Sequence, residues 1–424
     1  MLLDNLFSQD HRPSSFSEKF LYHIWDAMHF HSSTENNCLR SVNNQIIKIH
    51  FQGHYNTMSG PDFKNALVEI NHKIYTGDIE IHLQSTDWYH HQHDQNPAFN
   101  TTILHVVFKH NHHVNVTINE NGDQIEILEI NSLISPDIEK LFLKYAEEKQ
   151  VFQEKYCPLF SGIRPEFFEQ SLQYWGMQRL EKKIKRLKAE LSFVSFDQLF
   201  YQSLLEALGY SKNKHQFYLY AKDYKWNYYK QKQFTYQTFV EEFIANAGFD
   251  YNKYQWYAFR IRPCNQPQNR LYQISKFIYH SFQTSLTTEV LKIFSFTQND
   301  FTMRNFTQRL YSTLAEKNDY SKFILGKDRI NSICVNIFIP LMIIYARINN
   351  ESDLESMCYT IYSSYSKLAI NHEEIHMQKF MTEEQFLIVN KKAIYQQGLL
   401  HIYHQFCLNH ICAICKENNT WSKD

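Results

Sequence analysis

The residues most able to do chemistry are two carboxylates and an imidazole set at informative spacing. Asp62 follows Gly60-Pro61, and Glu80 and His82 lie in the run Gly77-Asp78-Ile79-Glu80-Ile81-His82. In a strand, alternate side chains share a face, so Asp78, Glu80 and His82 project to one side while Ile79, Ile81 and Leu83 enter the core. A hairpin reaching back to Asp62 would set that carboxylate beside Glu80. Two carboxylates so placed repel each other unless a proton or cation lies between them, and a hard divalent ion with oxygen ligands answers that need. Beyond the strand, Tyr89-His90-His91-Gln92-His93-Asp94 is dense in imidazole. His91, His93 and Asp94 with His105 are enough ligands for zinc; equally, they fit a polar loop whose rings bond backbone carbonyls. His105 sits within an apolar run, the setting of a satisfied core histidine. Asp87 is placed to orient a histidine, and Trp88 reads as core.

The elements that must position these groups follow from periodicity. Ser15 to Phe30 is an amphipathic helix, with Ser15 and Glu18 in a capping-box pattern and Phe16, Phe20, Leu21, Ile24 and Met28 as its apolar stripe. Strands are expected at Gln45 to Gln52, Asn65 to Ile70, from Gly77 onward, and Ile103 to Phe108, with Asn71-His72-Lys73 as a turn. Val114 to Glu129 holds two more strand-like pieces about the turn Glu120-Asn121-Gly122-Asp123. From Ser135 helical periodicity takes over, at Ile138 to Gln153, Pro165 to Leu191, Phe196 to Leu208 and on to Cys407. The expected fold class is α+β: an α/β domain over residues 1–135 and an all-helical domain over 136–424.

Two resemblances bear on this pattern. GPDFKNA, GDIEIH, STDW, HxHD, ILHVV, WYAFRIRPCNQPQNR, LGKDRINS and the terminal cysteines together resemble a bacterial family known only as a domain of unknown function. That likeness spans nearly the whole chain and names no activity. More distantly, Pro61-Asp62 followed by Glu80-Ile81-His82 resembles the signature of the PD-(D/E)XK nuclease superfamily. The second resemblance implies a restriction-endonuclease-like core of helix and mixed sheet, and Mg2+- or Mn2+-dependent cleavage of DNA or RNA. Asp62 and Glu80 would hold the ion, the Ile81 carbonyl would be a third ligand, and Glu18 on the first helix would join them. His82 stands where that superfamily has Lys. A neutral imidazole can serve as a base near pH 7 but is no fixed cation, so Lys64 or Lys73 would have to supply one.

Near the C-terminus Cys407, Cys412 and Cys415 form C-x4-C-x2-C, with Cys157-Pro158 upstream. Three clustered cysteines and one distant partner resemble the iron–sulfur staple of some nucleases of that superfamily, although there the lone cysteine precedes the catalytic motifs. Zn2+ fits equally well, and His401, His404 or His410 could replace Cys157.

For partners, Lys182, Lys183, Lys185 and Arg186 on a predicted helix suit a phosphate backbone; the alternative is a solvated face paired with Glu181 and Glu190. Gly326-Lys327 opens a helix without the other glycines of a phosphate loop. A formal net charge of −1 over 424 residues excludes a globally basic nucleic-acid coat. The N-terminus reads as no secretory signal, no charge-free stretch approaches the length of a membrane span, and eight mostly scattered cysteines suit a reducing cytoplasm. Beside the nuclease reading stand a catalytically inactive nucleic-acid or protein binding module, a zinc-dependent hydrolase built on the histidines, and a structural partner protein.

Overall fold

A computed structural model describes residues 18–28, 38–56, 59–134, 157, 159–210, 212–296, 301–317, 319–408, 412 and 415. The fold is α+β, an eight-stranded mixed sheet near the N-terminus followed by a large helical region. The chain forms two compact units: Met1–Ser171 with Ile375–Glu384 and Leu400–Asp424, and Leu172–Glu374 with Gln385–Leu399. The units therefore divide differently from a single break near Ser135, because the chain returns twice to the sheet-bearing unit. The expected break itself, and the helix expected at Ile138 to Gln153, lie at or within residues outside the described set.

In the first unit, helix α1 (Glu18–Ala27) buries Phe20, Leu21, Ile24 and Trp25. It packs on the strand that carries Glu80. It ends at Met28, whose positive φ breaks the helical path. Ser15, the expected cap, lies outside the described residues. The strands are β1 (Cys38–Arg40), β2 (Ile46–Phe51), β3 (His54–Tyr55), β4 (Phe63–Ile70), β5 (Lys73–Gln84), β6 (Thr102–Lys109), β7 (Val116–Ile118) and β8 (Gln124–Glu129). Their order is β1-β2-β4-β5-β6-β8-β7, with β3 on β4. β2, β4 and β5 form an antiparallel meander; β5 to β6 and β6 to β8 are parallel.

The β4–β5 turn is tighter than the expected three residues. Asn71 and His72 both take positive φ, the twist-matched geometry of a two-residue hairpin, and Lys73 already pairs with Ile70. A parallel pair cannot be joined by a hairpin, so β5 must reach β6 by a longer crossover lying over the sheet. That crossover contains the one-turn helix α2 (Asp87–His90) and two 3-10 turns, His93–Gln95 and Pro97–Phe99. Trp88 is fully buried with Phe99 and Ile125, as its core reading expected.

The second unit is helical, beginning within α3 (Pro165–Leu191). Among the described residues one helix, Lys327–Asn349, is long and apolar enough to cross a membrane by length and composition; 67% of its apolar window is buried. It is continuous because a π-helical stretch at Cys334–Phe338 widens the backbone just before Pro340, which brings no N–H.

Candidate metal centre

The register of the β4–β5 hairpin sets the centre. Phe63 pairs with Ile79, so Asp62 stands opposite Glu80. The Asp62 amide donates to Glu80 Oε2 at 3.0 Å, and the Ile81 amide donates to Asp62 Oδ2 at 3.0 Å. Asp62 is also fixed from behind: its carbonyl accepts from the Asn56 amide at 2.7 Å, and the Asn56 side chain donates to the Pro61 carbonyl. The two carboxylates thus converge as the alternation argument required.

Glu18 and Tyr22 are one helical turn apart on α1, and both bear on this pair. Tyr22 donates a hydrogen bond to the Asp62 carboxylate. Burial, then the negative charge of Asp62 and Asp87, raises Glu18 to about 7. Burial, then the charge of Glu80, raises Asp62 to about 8. Glu80 rises to about 8 chiefly through burial, with Glu18 and Asp78 adding to it and Lys64 opposing. Lys64 is engaged elsewhere, donating to Asp78 Oδ2 at 2.9 Å; the Asn65 amide donates to Asp78 Oδ1 at 3.0 Å, and Thr101 to Oδ2. Asp78 therefore anchors a bulge in β4, where Asn65 takes a positive φ. Lys73, the other lysine considered, is exposed at the hairpin turn.

On the other side of Glu80 lies the imidazole cluster. Glu80 Oε1 is 3.2 Å from His93 Nε2 and 3.5 Å from His82 Nε2. His82 Nε2 is 3.1 Å from His91 Nδ1, and His82 Nδ1 is 2.9 Å from His105 Nε2. His105 Nδ1 in turn meets Thr117 Oγ1 at 2.7 Å. His105 is thus a satisfied core residue and also a support for His82. Burial holds His82 well below the usual imidazole range, His93 at about 4 and His105 at about 3. All three are neutral at pH 7, and a buried imidazole with so depressed a basicity is a weak proton acceptor, which bears against the expectation of His82 as base.

The remaining candidates are less central. Asp94 has a buried Oδ1 without a hydrogen-bond partner. Asp87 accepts the Gln84 amide at 2.9 Å and approaches His90, not the clustered rings, at 3.5 Å. Tyr22 and Thr117 were not anticipated from the sequence. Tyr22 was discoverable as the residue one turn after Glu18; Thr117 depends on the parallel placement of β6 and β8.

The four thiols Cys157, Cys407, Cys412 and Cys415 belong to the first unit, carry no disulfide and act on one another electrostatically. Burial pushes Cys157 up, while the Phe160 and Leu159 amides donate to its sulfur and oppose the shift. His401 is buried and His404 lies in the π-helical turn Tyr403–Cys407, while His410 is outside the described residues.

The basic face on α3 is not the free array expected. Lys183 is half-buried and its ammonium donates to the side chains of Gln397, at 2.9 Å, and Asn336. Arg186 is clamped between Glu190 at 2.8 Å and Glu206 at 2.9 Å. Lys182 is half-buried and Lys185 is exposed. Gly326-Lys327 opens a helix whose Arg329 guanidinium is stacked on Tyr210 rather than offered to a ligand.

The family model described as "Protein of unknown function (DUF2851)" matches residues 18–249 and 223–369. The chain belongs to the DUF2851 family. The match begins at Glu18 and contains every carboxylate and imidazole of the centre described above, so in this DUF2851 protein they form one constellation within the family region. No curated protein and no solved structure is significantly similar to the chain.

Proposed function

We propose that this DUF2851 protein is a metal-dependent hydrolase of phosphodiester bonds in DNA or RNA, with Glu18, Asp62 and Glu80 as its acidic ligands for Mg2+ or Mn2+. The observation that carries the reading is the convergence of Asp62 and Glu80 across the hairpin, with Glu18 added from α1. Their raised pKa values are what a cation-binding carboxylate cluster shows before the cation neutralises it. The arrangement of a helix, an antiparallel meander and a parallel strand also supports the superfamily likeness.

A divalent ion there would lower the pKa of a bound water and offset charge on the phosphoryl oxygens. The protein's part is to hold the ligands. The Ile81 amide and Tyr22 hydroxyl orient Asp62, and the Asp62 amide orients Glu80. Lys64, tied to Asp78, contributes positive potential near Glu80. Of the basic residues on α3, Lys185 and Lys188 are exposed, and they are the ones offered to nucleic acid.

The test is divalent-dependent cleavage of plasmid DNA, single-stranded DNA and RNA. Wild type should cut at least one of these, and Asp62→Asn and Glu80→Gln should reduce cutting by roughly 100-fold or more with the fold intact. Equal cleavage by all three proteins would remove the reading.

The cysteines support a separate structural role, with Zn2+ or an iron–sulfur cluster held by Cys157, Cys407, Cys412 and Cys415. What supports the role is the mutual proximity of the thiols, with Cys407 and Cys415 each within electrostatic reach of Cys157 and Cys412.

A further inference from the structure

The imidazole cluster is joined by contacts whose lengths suit hydrogen bonds and, equally, the edges of a metal-ligand polyhedron. A tetrahedral ion with ligands at roughly 2.0–2.1 Å sets neighbouring ligand atoms about 3.3 Å apart. Around Glu80 three separations are 3.1 Å for His82 Nε2 to His91 Nδ1, 3.2 Å for His93 Nε2 to Glu80 Oε1 and 3.5 Å for His82 Nε2 to Glu80 Oε1. One ring nitrogen from each of the three histidines lies within 4.8 Å of the others.

From this we infer that His82, His91, His93 and Glu80 Oε1 form a nitrogen-rich site for a divalent transition ion of the zinc or iron(II) class, distinct from the all-oxygen ligand set of Glu18 and Asp62. Imidazole suits such ions, whereas magnesium prefers oxygen. Glu80 is the hinge between the two ligand sets: Oε2 accepts from the Asp62 amide and Oε1 faces the rings.

The surroundings hold the rings in register. Gln92, between two of the ligands, takes φ of 59°, a left-handed turn that lets His91 and His93 face one point. His93 stacks on Phe99 at 3.7 Å and meets the edge of Trp88 at 5.3 Å. When Thr117 Oγ1 accepts from Nδ1–H of His105, Nε2 of His105 accepts from Nδ1–H of His82. The Nε2 lone pair of His82 is then left facing His91 and Glu80, the tautomer a metal ligand needs. His91 is exposed, so the cluster borders solvent on that side.

The inference concerns binding and stands whether or not the carboxylates cut phosphodiesters. Its test is titration of the full, chelator-stripped chain with Co2+, followed by displacement with Zn2+. Cobalt at the cysteines gives visible bands together with near-ultraviolet thiolate charge transfer, whereas cobalt among nitrogen and oxygen ligands gives visible bands alone, so the site is read as visible absorbance gained with no rise in charge transfer. Wild type should gain these bands over one equivalent beyond any that raises the charge transfer. His91→Ala and His93→Ala should abolish them, while Asp62→Asn should keep them even if cleavage is lost. Thr117→Val, which removes only the outer support, should weaken binding by roughly 10- to 100-fold. Circular dichroism confirms the fold of each variant. Absence of the bands gained without charge transfer in wild type, or their persistence in folded His91→Ala and His93→Ala proteins, would overturn the assignment.

Discussion

At the scale of the residue, two sets of groups pull the acid–base behaviour in opposite directions. Asp62 and Glu80 titrate at about 8 and Glu18 at about 7 in the folded chain, against ordinary values of 3.8 for Asp and 4.5 for Glu. Across that window the folded state holds more protons than the unfolded one, so stability falls as pH rises. His93 and His105 titrate at about 4 and about 3, against an ordinary 6.5. Below 6.5 the unfolded state holds more protons on them, and they remove stability as pH falls. By about pH 7.5 the unfolded histidines have lost their protons and, of these groups, only the carboxylates still act, so the melting temperature of the metal-free protein should decline from there to about pH 8.5. Saturating Mg2+ or Mn2+ should flatten the decline, because the bound ion takes the place of the protons. Thermal denaturation with and without metal checks this; a metal-free melting temperature that is constant or rising over that range would contradict it.

At the scale of the element, the hairpin and the crossover do the positioning. The hairpin was legible: the β-period of Gly77 to His82 and the turn at Asn71-His72 fix which side chains meet, and Asp62 and Glu80 meet as expected. The crossover was less so, because hydropathy does not reveal that β6 runs parallel to β5. Without that fact, His91 and His93 could not be brought to Glu80, and Thr117 had no reason to be noticed. On α3 the periodicity held more than was drawn from it. Lys183 lies three residues after Leu180 and four before Leu187, on the same face as both, so its inward position follows from helical spacing. Gly77 carries the other element-scale prediction. A Cβ there would lie 2.3 Å from Ile103 Cγ2 and 2.6 Å from the Thr101 carbonyl oxygen, where β6 begins beside β5. Gly77→Ala should therefore cost about 3 kcal/mol, read from urea denaturation midpoints, because it overpacks the strand that carries Glu80 and His82. A cost under roughly 0.5 kcal/mol would show that this crossing is looser than described.

At the scale of the whole molecule, the chain's return to its first unit matters most. Leu400–Asp424 belongs with the sheet-bearing unit although a long helical region separates them in sequence. Periodicity records helices but not which unit a helix joins, so the change from sheet to helices was legible and the return was not. Within that unit Gln405 Nε2 lies 3.3 Å from His23 Nδ1 on α1, the helix that carries Glu18. A metal tie from Cys157 to Cys407, Cys412 and Cys415 would fasten this C-terminal segment to the sheet-bearing unit. Removal of bound metal with a strong chelator should then lower the melting temperature of wild type, and Cys412→Ser should lower it without chelator. Identical melting in all three conditions would refute the tie. The account as a whole depends on Asp62 and Glu80 sharing a catalytic ion, and the most direct measurement is Mn2+-dependent nucleic-acid cleavage by wild type and by Asp62→Asn of equal folded content. The account predicts cleavage by wild type and a loss of roughly 100-fold or more in the variant; cleavage at the same rate by both would contradict it.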